Sequence, residues 1–463
     1  MSASESKGRT GRLRFFLLGL IFAITVVNYA DRAILSIAGP VMAGELKLDP
    51  VALGFIFSAF GWSYVIGQLP GGWLLDRFGT KWVYAASILL WSLFTLLQGT
   101  VGFLAGGAAV VALFALRFMV GLFEAPSFPA NARIVSAWFP TAERGFASAV
   151  FNSAQYFATV LFAPLMAWIV HEFGWRAVFW VMGAIGVGMT VVWIKAFYPP
   201  GQHPKMSKGE LEYLVAGGAL IDVDGGQGAP PKSKPSWGAL KQLLSNRMLV
   251  GVYVAQYCIV TLTWFFLTWF PVYLVQERGL SILQAGFAAV LPALAGFVGG
   301  LLGGLISDQI LKRTGSLTIA RKTPIICGML LSMVIVICNY VSAPAAVIAL
   351  MTLGFFGKGV GSLGWAVVSD TSPKEMPGLN AGLFNTFGNV AAITTPIAIG
   401  YIVAASGGAF HGALIFVAAN AAVALITYLF IVGEIKRVVL VKPDSNGALS
   451  SGFSSGATRS DQI

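Results

Sequence analysis

The sequence predicts an all-α integral membrane protein with twelve transmembrane helices arranged as two pseudo-symmetric bundles of six. Hydrophobic residues make up 57% of the 463 residues and charged residues only 11%, against about 25% charged residues in ordinary soluble domains. Uncharged stretches long enough to cross a bilayer recur along the chain, and the two halves share motifs at a constant spacing. With a mean hydropathy of +0.78, a water-soluble enzyme is excluded.

The predicted spans follow from the length of the apolar stretches, since a membrane helix needs about 20 mostly apolar residues. These stretches are 15–38, 50–75, 82–116, 145–170, 177–194, 248–276, 279–307, 323–357 and 376–433. The stretch from 82 holds one helix and most of a second, and the stretch from 376 holds two helices separated near Ser406. Twelve spans is the natural total, because a tenth span that contains Lys358 follows the ninth within and beyond the stretch 323–357.

The excess of basic residues indicates the orientation in the membrane. Lys and Arg number 30 against 19 Asp and Glu, and they collect on alternate loops, whereas the opposite loops hold only Lys47, Arg176 and Arg278. Because cytoplasmic loops carry the positive excess, both termini are predicted to be cytoplasmic, and the charge needs no nucleic-acid partner. A charge pair inside the first apolar stretch indicates a retained helix and not a secretory signal.

A polar segment between spans six and seven divides the chain. We predict a cytoplasmic tail at 1–12, a first bundle at 13–197, a cytoplasmic linker at 198–246, a second bundle at 247–437 and a tail at 438–463. Within the linker, the charged patch at 208–214 is compatible with a helix, and 225–231 has the composition of a flexible connection.

The two halves share motifs, which indicates a parallel duplication. Gly72 and Asp76 recur as Gly304 and Asp308, 232 positions later (304 minus 72), and both copies are followed by basic residues. Six-helix halves related by an axis along the membrane normal rock around a central site in one class of transporters. The duplication therefore predicts a transporter.

Two motifs carry a resemblance to a known family. The run Gly72-Trp-Leu-Leu-Asp76-Arg77-Phe-Gly79-Thr-Lys81 resembles the loop between helices two and three of the major facilitator superfamily. The run Asn28-Tyr29-Ala-Asp31-Arg32, together with Arg117 and Glu124, resembles the anion:cation symporter branch of that superfamily.

Within this branch the chain resembles bacterial importers of glucarate and galactarate. The motifs that carry this likeness are Ser153-Ala-Gln155-Tyr156, Phe356-Gly-Lys358-Gly, Gly364-Trp365-Ala and Leu383-Phe-Asn385. The likeness implies a monomeric, cofactor-free symporter of the bacterial inner membrane, which carries a sugar-acid dianion with protons by alternating access. Galactonate or a hexuronate as substrate, sodium in place of protons, and a nontransporting nutrient sensor are the alternatives.

Five ionisable residues lie inside predicted spans: Asp31, Arg32, Arg117, Glu124 and Lys358. Each costs at least about 2.5 to 3.5 kcal/mol at the bilayer centre unless it is paired or faces water. Arg117 and Glu124 are seven residues apart, so they share a helix face at about 10 Å, too far for a direct ion pair without bending or a third partner. This separation favours a functional site.

The chemistry of these groups suits the transport of an organic anion. Because a guanidinium binds a carboxylate through two points, Arg32 and Arg117 are candidate substrate ligands. Since a carboxylate can take up and release a proton, Asp31 and Glu124 are candidate proton carriers. Pairing of Asp31 with Arg117 across helices is the structural alternative. Lys358 either neutralises substrate charge or has a structural role, snorkelling or pairing with a neighbouring helix.

Neutral polar side chains in the spans are predicted to contact the hydroxyl groups of a sugar acid. They are Tyr29, Tyr64, Gln155, Gln256, Trp365, Ser369, Asn385 and Asn389. For Gln256, Ser369 and Asn389, hydrogen bonding between helices is an equal alternative. Since Asp31 and Arg32 fall opposite Thr263 and Trp264 at the 232-residue offset, we expect charge chemistry mainly in the first half and hydroxyl contacts mainly in the second.

The repeated motif is expected to act as a gate. Its residues are Gly72, Asp76, Arg77, Gly79, Lys81 and, in the second half, Asp308. A carboxylate at a helix end can cap the helix or bridge to a basic neighbour, which for Asp308 is Arg313 or Arg321. We expect these bridges to latch the outward-open state.

Other classes of function lack their motifs. The chain has no GxxxxGK[ST] loop for ATP-driven transport and no nucleophile or acid–base constellation of an enzyme. Its three cysteines have no CxxC spacing, and with three histidines they indicate no metal site. The expected partners are therefore the sugar acid, protons and membrane lipid.

Overall fold

Twelve helical spans long and apolar enough to cross a bilayer are present, which confirms the predicted fold class. The computed structural model describes residues 12–104, 106–221, 237–373 and 376–440, and over these ranges it contains no strand. The predictions for the tail at 1–11, the linker glycines at 225–231 and the end of the chain after 440 lie outside the described residues.

The first bundle contains six spans. They are α1 (Leu13–Leu46), α2 (Pro50–Phe78), α3 (Thr80–Gln98), α4 (Gly107–Glu124) followed by α5 (Ser127–Trp138), α6 (Arg144–Phe173) and α7 (Trp175–Ala196). The break between α4 and α5 falls at Pro126, because proline cannot donate the backbone hydrogen bond that would continue the helix.

Two short helices lie in the linker, and one of them occupies the predicted charged patch. They are α8 (Lys208–Ala216) and α9 (Trp237–Ser245). At the start of α8, the Ser207 hydroxyl accepts a hydrogen bond from the Glu210 backbone N–H at 3.1 Å, so the helix begins at an N-cap.

The second bundle also contains six spans. They are α10 (Arg247–Trp264) joined by a π-helical turn (Phe265–Trp269) to α11 (Phe270–Gln276), α12 (Ile282–Ala288) with α13 (Val290–Thr314), α14 (Leu317–Ser332), α15 (Pro344–Val360) with α16 (Gly364–Thr371), α17 (Pro377–Ala405), and α18 (His411–Ile426). The predicted break near Ser406 separates α17 from α18, where Gly407 and Gly408 adopt positive φ angles of 63° and 99°.

The two bundles touch closely at the end where α2 begins and α17 ends. A Cβ atom at Gly54 would lie 2.6 Å from the carbonyl oxygen of Pro396, and one at Gly400 would lie 2.6 Å from the carbonyl oxygen of Pro50. Two turns further in, a Cβ at Gly61 would lie 2.9 Å from Ala392. Only glycine permits this approach, so the helices seal this end of the molecule.

The same two helices separate toward the opposite end. Gln68 still accepts a hydrogen bond from the amide of Asn385 at 3.2 Å. One turn beyond, on the same faces, a Cβ at Gly72, Gly378 or Gly382 would meet no described atom within 4 Å. The seam between α2 and α17 is therefore closed at one end and open at the end that carries the basic loops.

The linker helix α8 is fixed to the first bundle through Glu210, which is 1% exposed. Its carboxylate accepts hydrogen bonds from the backbone N–H groups of Leu13 and Arg14 at 3.4 and 3.2 Å. The Arg14 guanidinium lies 3.5 Å from Glu210 and 3.1 Å from Glu143, and Tyr213 donates to Glu143 at 2.6 Å. A carboxylate from the linker thus caps the start of α1.

We expect Glu210→Ala to lower the free energy of unfolding by about 1 to 3 kcal/mol, because it removes the acceptor for the first N–H groups of α1. Thermal unfolding of the purified protein in detergent measures the change. Glu212→Ala is the matched control, since Glu212 lies on the same helix and is exposed. Equal melting temperatures for the two variants would contradict the capping role.

Candidate functional site

A cavity of about 80 Å³ lies between the two bundles. Its polar lining comes from α1, α6, α10 and α15, and the rest of its wall is apolar. The polar residues are Tyr29, Ser36, Gln155, Tyr156, Thr159, Thr263 and Lys358. A mostly apolar cavity with a few convergent polar groups is the usual form of a small-molecule site.

Three of the predicted substrate ligands line this cavity. They are Tyr29 and Gln155 from the first bundle and Lys358 from the second. Sequence reasoning did not include Ser36 and Thr159, although a signal was present. Ser36 lies seven residues after Tyr29 and Thr159 four after Gln155, which places each on the same helix face as the predicted residue.

A buried ion pair between Arg32 and Glu124 lies in the wall beside the cavity. The Arg32 Nε donates to Glu124 Oε1 at 2.5 Å, and the Arg32 Nη2 contacts the same oxygen. The side chains are 8% and 0% exposed. The pair joins α1 to α4. Glu124 therefore has its counter-charge on α1, and not on Arg117 of its own helix.

Aromatic rings surround the Arg32 guanidinium. Its central carbon lies 4.6 Å from the ring centroid of Tyr29, 4.8 Å from that of Phe60 and 4.9 Å from that of Tyr64. A guanidinium over a ring face is attracted by the π-electrons. Because Tyr29 also lines the cavity, its ring lies where the cavity meets the ion pair.

Arg117 does not form an ion pair with the Asp31 carboxylate. It is 3% exposed, and it donates to the backbone carbonyl oxygens of Asp31 at 3.0 Å and Arg32 at 2.7 Å. In this conformation the guanidinium therefore holds the α1 backbone behind the ion pair. Its predicted role as a carboxylate ligand stays a prediction.

Several buried carboxylate oxygens lack a hydrogen bond of ordinary geometry among the described residues. They are both oxygens of Asp31 and the Oε2 of Glu124. The indole N–H of Trp91 lies near the Asp31 carboxylate, and the amide of Asn28 lies near that of Glu124. Buried polar atoms in proteins are nearly always hydrogen-bonded. These oxygens thus have unused capacity to accept a proton, as the prediction for Asp31 and Glu124 requires.

The remaining predicted ligands lie outside the cavity lining. Tyr64 is 6% exposed and contacts Arg32. Gln256 lies beside Gly364 and Gly388, Asn389 donates to the Asn385 carbonyl at 3.0 Å, and Asn385 donates to Gln68. Trp365 and Ser369 are exposed. These second-bundle groups lie toward the open end, so their predicted contacts with substrate stay predictions.

The repeated motif forms ion pairs within each bundle. Asp76 pairs with Arg133 of α5 at 2.5 Å. In the second copy, Arg321 lies 3.4 Å from Asp308 and 2.8 Å from Asp370, so Arg321 is the partner of Asp308 among the two expected. Arg77 lies over Trp73, and the Lys81 ammonium lies 3.3 Å from the ring centroid of Tyr198. The predicted latch of the outward-open state stays a prediction.

Comparison with known proteins gives consistent results. Residues 21–320 match the model of the Major Facilitator Superfamily. The chain is 60% identical to the protein named "Probable galactarate/D-glucarate transporter GudP" of Bacillus subtilis (strain 168), over 95% of this chain and 96% of that protein. It is 59% identical to the protein of the same name from Escherichia coli (strain K12), over 95% and 97%.

A more distant relative and a solved structure extend the comparison. The chain is 40% identical to the D-galactonate transporter of Escherichia coli O6:H1, over 95% of this chain and 100% of that protein. The crystal structure of a D-xylose-proton symporter has a TM-score of 0.69 at 14% identity, covering 91% of this chain and 98% of that chain. The latter likeness concerns the fold alone.

We expect Arg32→Gln to lower the free energy of unfolding by about 3 to 5 kcal/mol, because it leaves the Glu124 carboxylate buried without a counter-charge. The double variant Arg32→Gln/Glu124→Gln should recover part of this loss, since it removes both charges. Thermal unfolding in detergent measures both effects. A double variant that is no more stable than Arg32→Gln alone would contradict the ion pair.

Proposed function

The chain belongs to the major facilitator superfamily, and from this membership we propose that it imports a sugar-acid dianion, D-glucarate or galactarate, in symport with protons. It is a multi-pass membrane transporter and not an enzyme. The substrate class is proposed from the near full-length likeness to proteins named as galactarate/D-glucarate transporters. We place the protein in the bacterial inner membrane as a monomer, with both termini and the open end of the cavity in the cytoplasm.

The buried Arg32–Glu124 pair is the observation that carries the proposed coupling. While the pair is intact, the guanidinium is engaged and the cavity receives no free arginine from the first bundle. A proton on Glu124, at the Oε2 atom that accepts no hydrogen bond of ordinary geometry among the described residues, cancels the charge that holds Arg32. The guanidinium can then bind a substrate carboxylate through two points beside Tyr29.

Protonation and substrate binding therefore favour each other. Linkage requires that if a proton on Glu124 strengthens substrate binding, bound substrate strengthens proton binding by the same factor. On release into the more alkaline cytoplasm, the restored Glu124 carboxylate competes with the substrate for Arg32 and expels it. Asp31, which is buried next to Arg32 in α1, is the proposed second proton carrier.

The number of protons decides whether the membrane potential contributes. Two protons neutralise a dianion, so that transport would be driven by the pH gradient alone. A third proton would add about 2.3 kcal/mol per 100 mV of membrane potential.

Arg117 holds the stretch of α1 backbone that carries Asp31 and Arg32. A change in charge at Asp31 or Arg32 is therefore coupled to α4, the helix of Arg117.

Alternating access is supported by the unequal contact between α2 and α17. Glycine contacts hold the bundles together at one end, whereas Gly72 and Gly382 have free space at the other. Rocking the bundles would separate the first set and bring the second set together. Small residues on both halves of one seam permit each closed state in turn.

We expect Glu124→Gln to abolish uphill accumulation of labelled D-glucarate in proteoliposomes under an inward proton gradient, because the amide cannot carry the coupled proton. Exchange of external for internal substrate should survive, since that exchange needs no net proton movement. Glu212→Gln is the control for loss of an exposed carboxylate. A Glu124→Gln protein that still concentrates glucarate would refute the coupling.

The same assay distinguishes the alternatives. A sodium gradient applied at equal pH should give no accumulation, and unlabelled galactarate should compete more strongly than D-galactonate. Accumulation driven by sodium, or preference for galactonate, would replace the corresponding part of the proposal. A protein that binds sugar acid without moving it would favour a sensor.

We expect Gly54→Leu and Gly72→Leu to shift the alternating equilibrium in opposite directions. The first side chain would collide with Pro396 and disfavour closure of that end, and the second would obstruct closure of the other end. Labelling of a cysteine at Ser36, in a background without the three native cysteines, by a membrane-impermeant thiol reagent from the outer side measures the shift. Labelling should increase in the first variant and not in the second, and equal labelling would contradict the rocking.

A further inference from the structure

Lys358 contributes a buried cation to the central cavity, with no acidic partner in the part of the chain that the structure describes. Its side chain is 7% exposed and lines the cavity. Among the described residues no ion pair includes it. The Nζ atom lies 5.2 Å from the ring centroid of Phe355.

The helix that carries Lys358 is held in place on both sides. A Cβ at Gly359 would lie 2.3 Å from the Gly296 carbonyl of α13, and one at Gly357 would lie 2.6 Å from the Gly328 carbonyl of α14. Neighbouring residues on a helix point about 100° to either side. Gly359 faces α13 and Gly357 faces α14, so residue 358 between them points to the remaining face of the helix, which lines the cavity.

An ammonium without a counter-charge is unfavourable in this position. Burying a charge costs free energy unless an opposite charge or hydrogen bonds compensate it, and the face of one aromatic ring compensates only in part. A charged residue held within a membrane domain under these conditions usually marks a substrate pathway. The missing counter-charge is therefore expected from the transported molecule.

The position of Lys358 relative to the Arg32–Glu124 pair indicates which charge it binds. Arg32 lies behind Tyr29 on the first bundle, while Lys358 belongs to the second bundle and faces the same cavity. A monocarboxylate needs one cation, whereas a molecule with a carboxylate at each end can contact both bundles at once. We expected the charged groups of the site mainly in the first half of the chain. Among the described residues, however, the one cation that lines the cavity is Lys358 of the second half.

We propose that Lys358 binds the second carboxylate of the substrate and makes the site selective for sugar diacids over sugar monoacids. The inference rests on the proposed transport of sugar acids. The ammonium donates its hydrogen bonds from a flexible stem, so it can follow a carboxylate as the bundles rock, while Arg32 receives the first carboxylate once Glu124 is protonated. A dianion bound in this way links the two bundles through its own length.

The test compares two substrate classes in one protein. Binding of D-glucarate and of D-galactonate to purified protein is measured by calorimetry for wild type, Lys358→Gln and Lys358→Arg, with uptake into proteoliposomes in parallel. Lys322→Gln is the matched control, since Lys322 is a half-buried lysine of the second bundle outside the cavity lining. Melting temperatures in detergent establish that each variant is folded.

The proposal requires the ratio of glucarate affinity to galactonate affinity to fall at least about tenfold in Lys358→Gln, the size expected for loss of one charged hydrogen bond. Lys358→Arg should retain most of the ratio, and Lys322→Gln should leave it unchanged. An unchanged ratio in Lys358→Gln, or an equal loss for both substrates in a folded protein, would overturn the inference. Failure of the wild type to bind either sugar acid would instead refute the proposed function, and this inference with it.

Discussion

The ion pair between Arg32 and Glu124 is the constraint on which the rest of the site depends. Both side chains are buried in a membrane domain, where a single charge without a partner is unfavourable, so each compensates the charge of the other. The pair also joins α1 to α4, and Arg117 ties the same stretch of α1 to α4 through backbone carbonyls. A change in charge at one carboxylate therefore alters contacts between helices, which is the requirement for coupling transport to protons.

The contact between the two bundles is unequal along their length. Helices α2 and α17 approach through Gly54, Gly61 and Gly400 at one end and diverge at Gly72. Close backbone contact has a short range, so the bundles either touch or separate along this seam, with little between. The cavity lies where groups from both bundles meet, so a ligand that contacts Tyr29 and Lys358 together contacts both bundles.

Much of the fold follows from the sequence because the length and apolar composition of a membrane helix can be recognised directly in the residues that form it. The twelve spans, the break after α17 and the helix in the linker at α8 lie where the apolar and charged stretches place them. Some residues of the site could also be predicted from the sequence, because an ionisable side chain in a long apolar stretch needs a compensating environment. Tyr29, Gln155 and Lys358 were recognised from residue type and from resemblance, and the structure places them around one cavity.

Only the tertiary structure decided which group each buried ionisable side chain contacts. The sequence alone determined that Arg32, Arg117 and Glu124 lie in the membrane and need partners, since burial in an apolar span is a local property. It could not determine that Glu124 meets Arg32 while Arg117 meets the α1 backbone, because the crossing of α1 and α4 sets those distances. The same reason applies to Lys358, whose lack of an acidic neighbour among the described residues depends on how α13, α14 and α15 pack together.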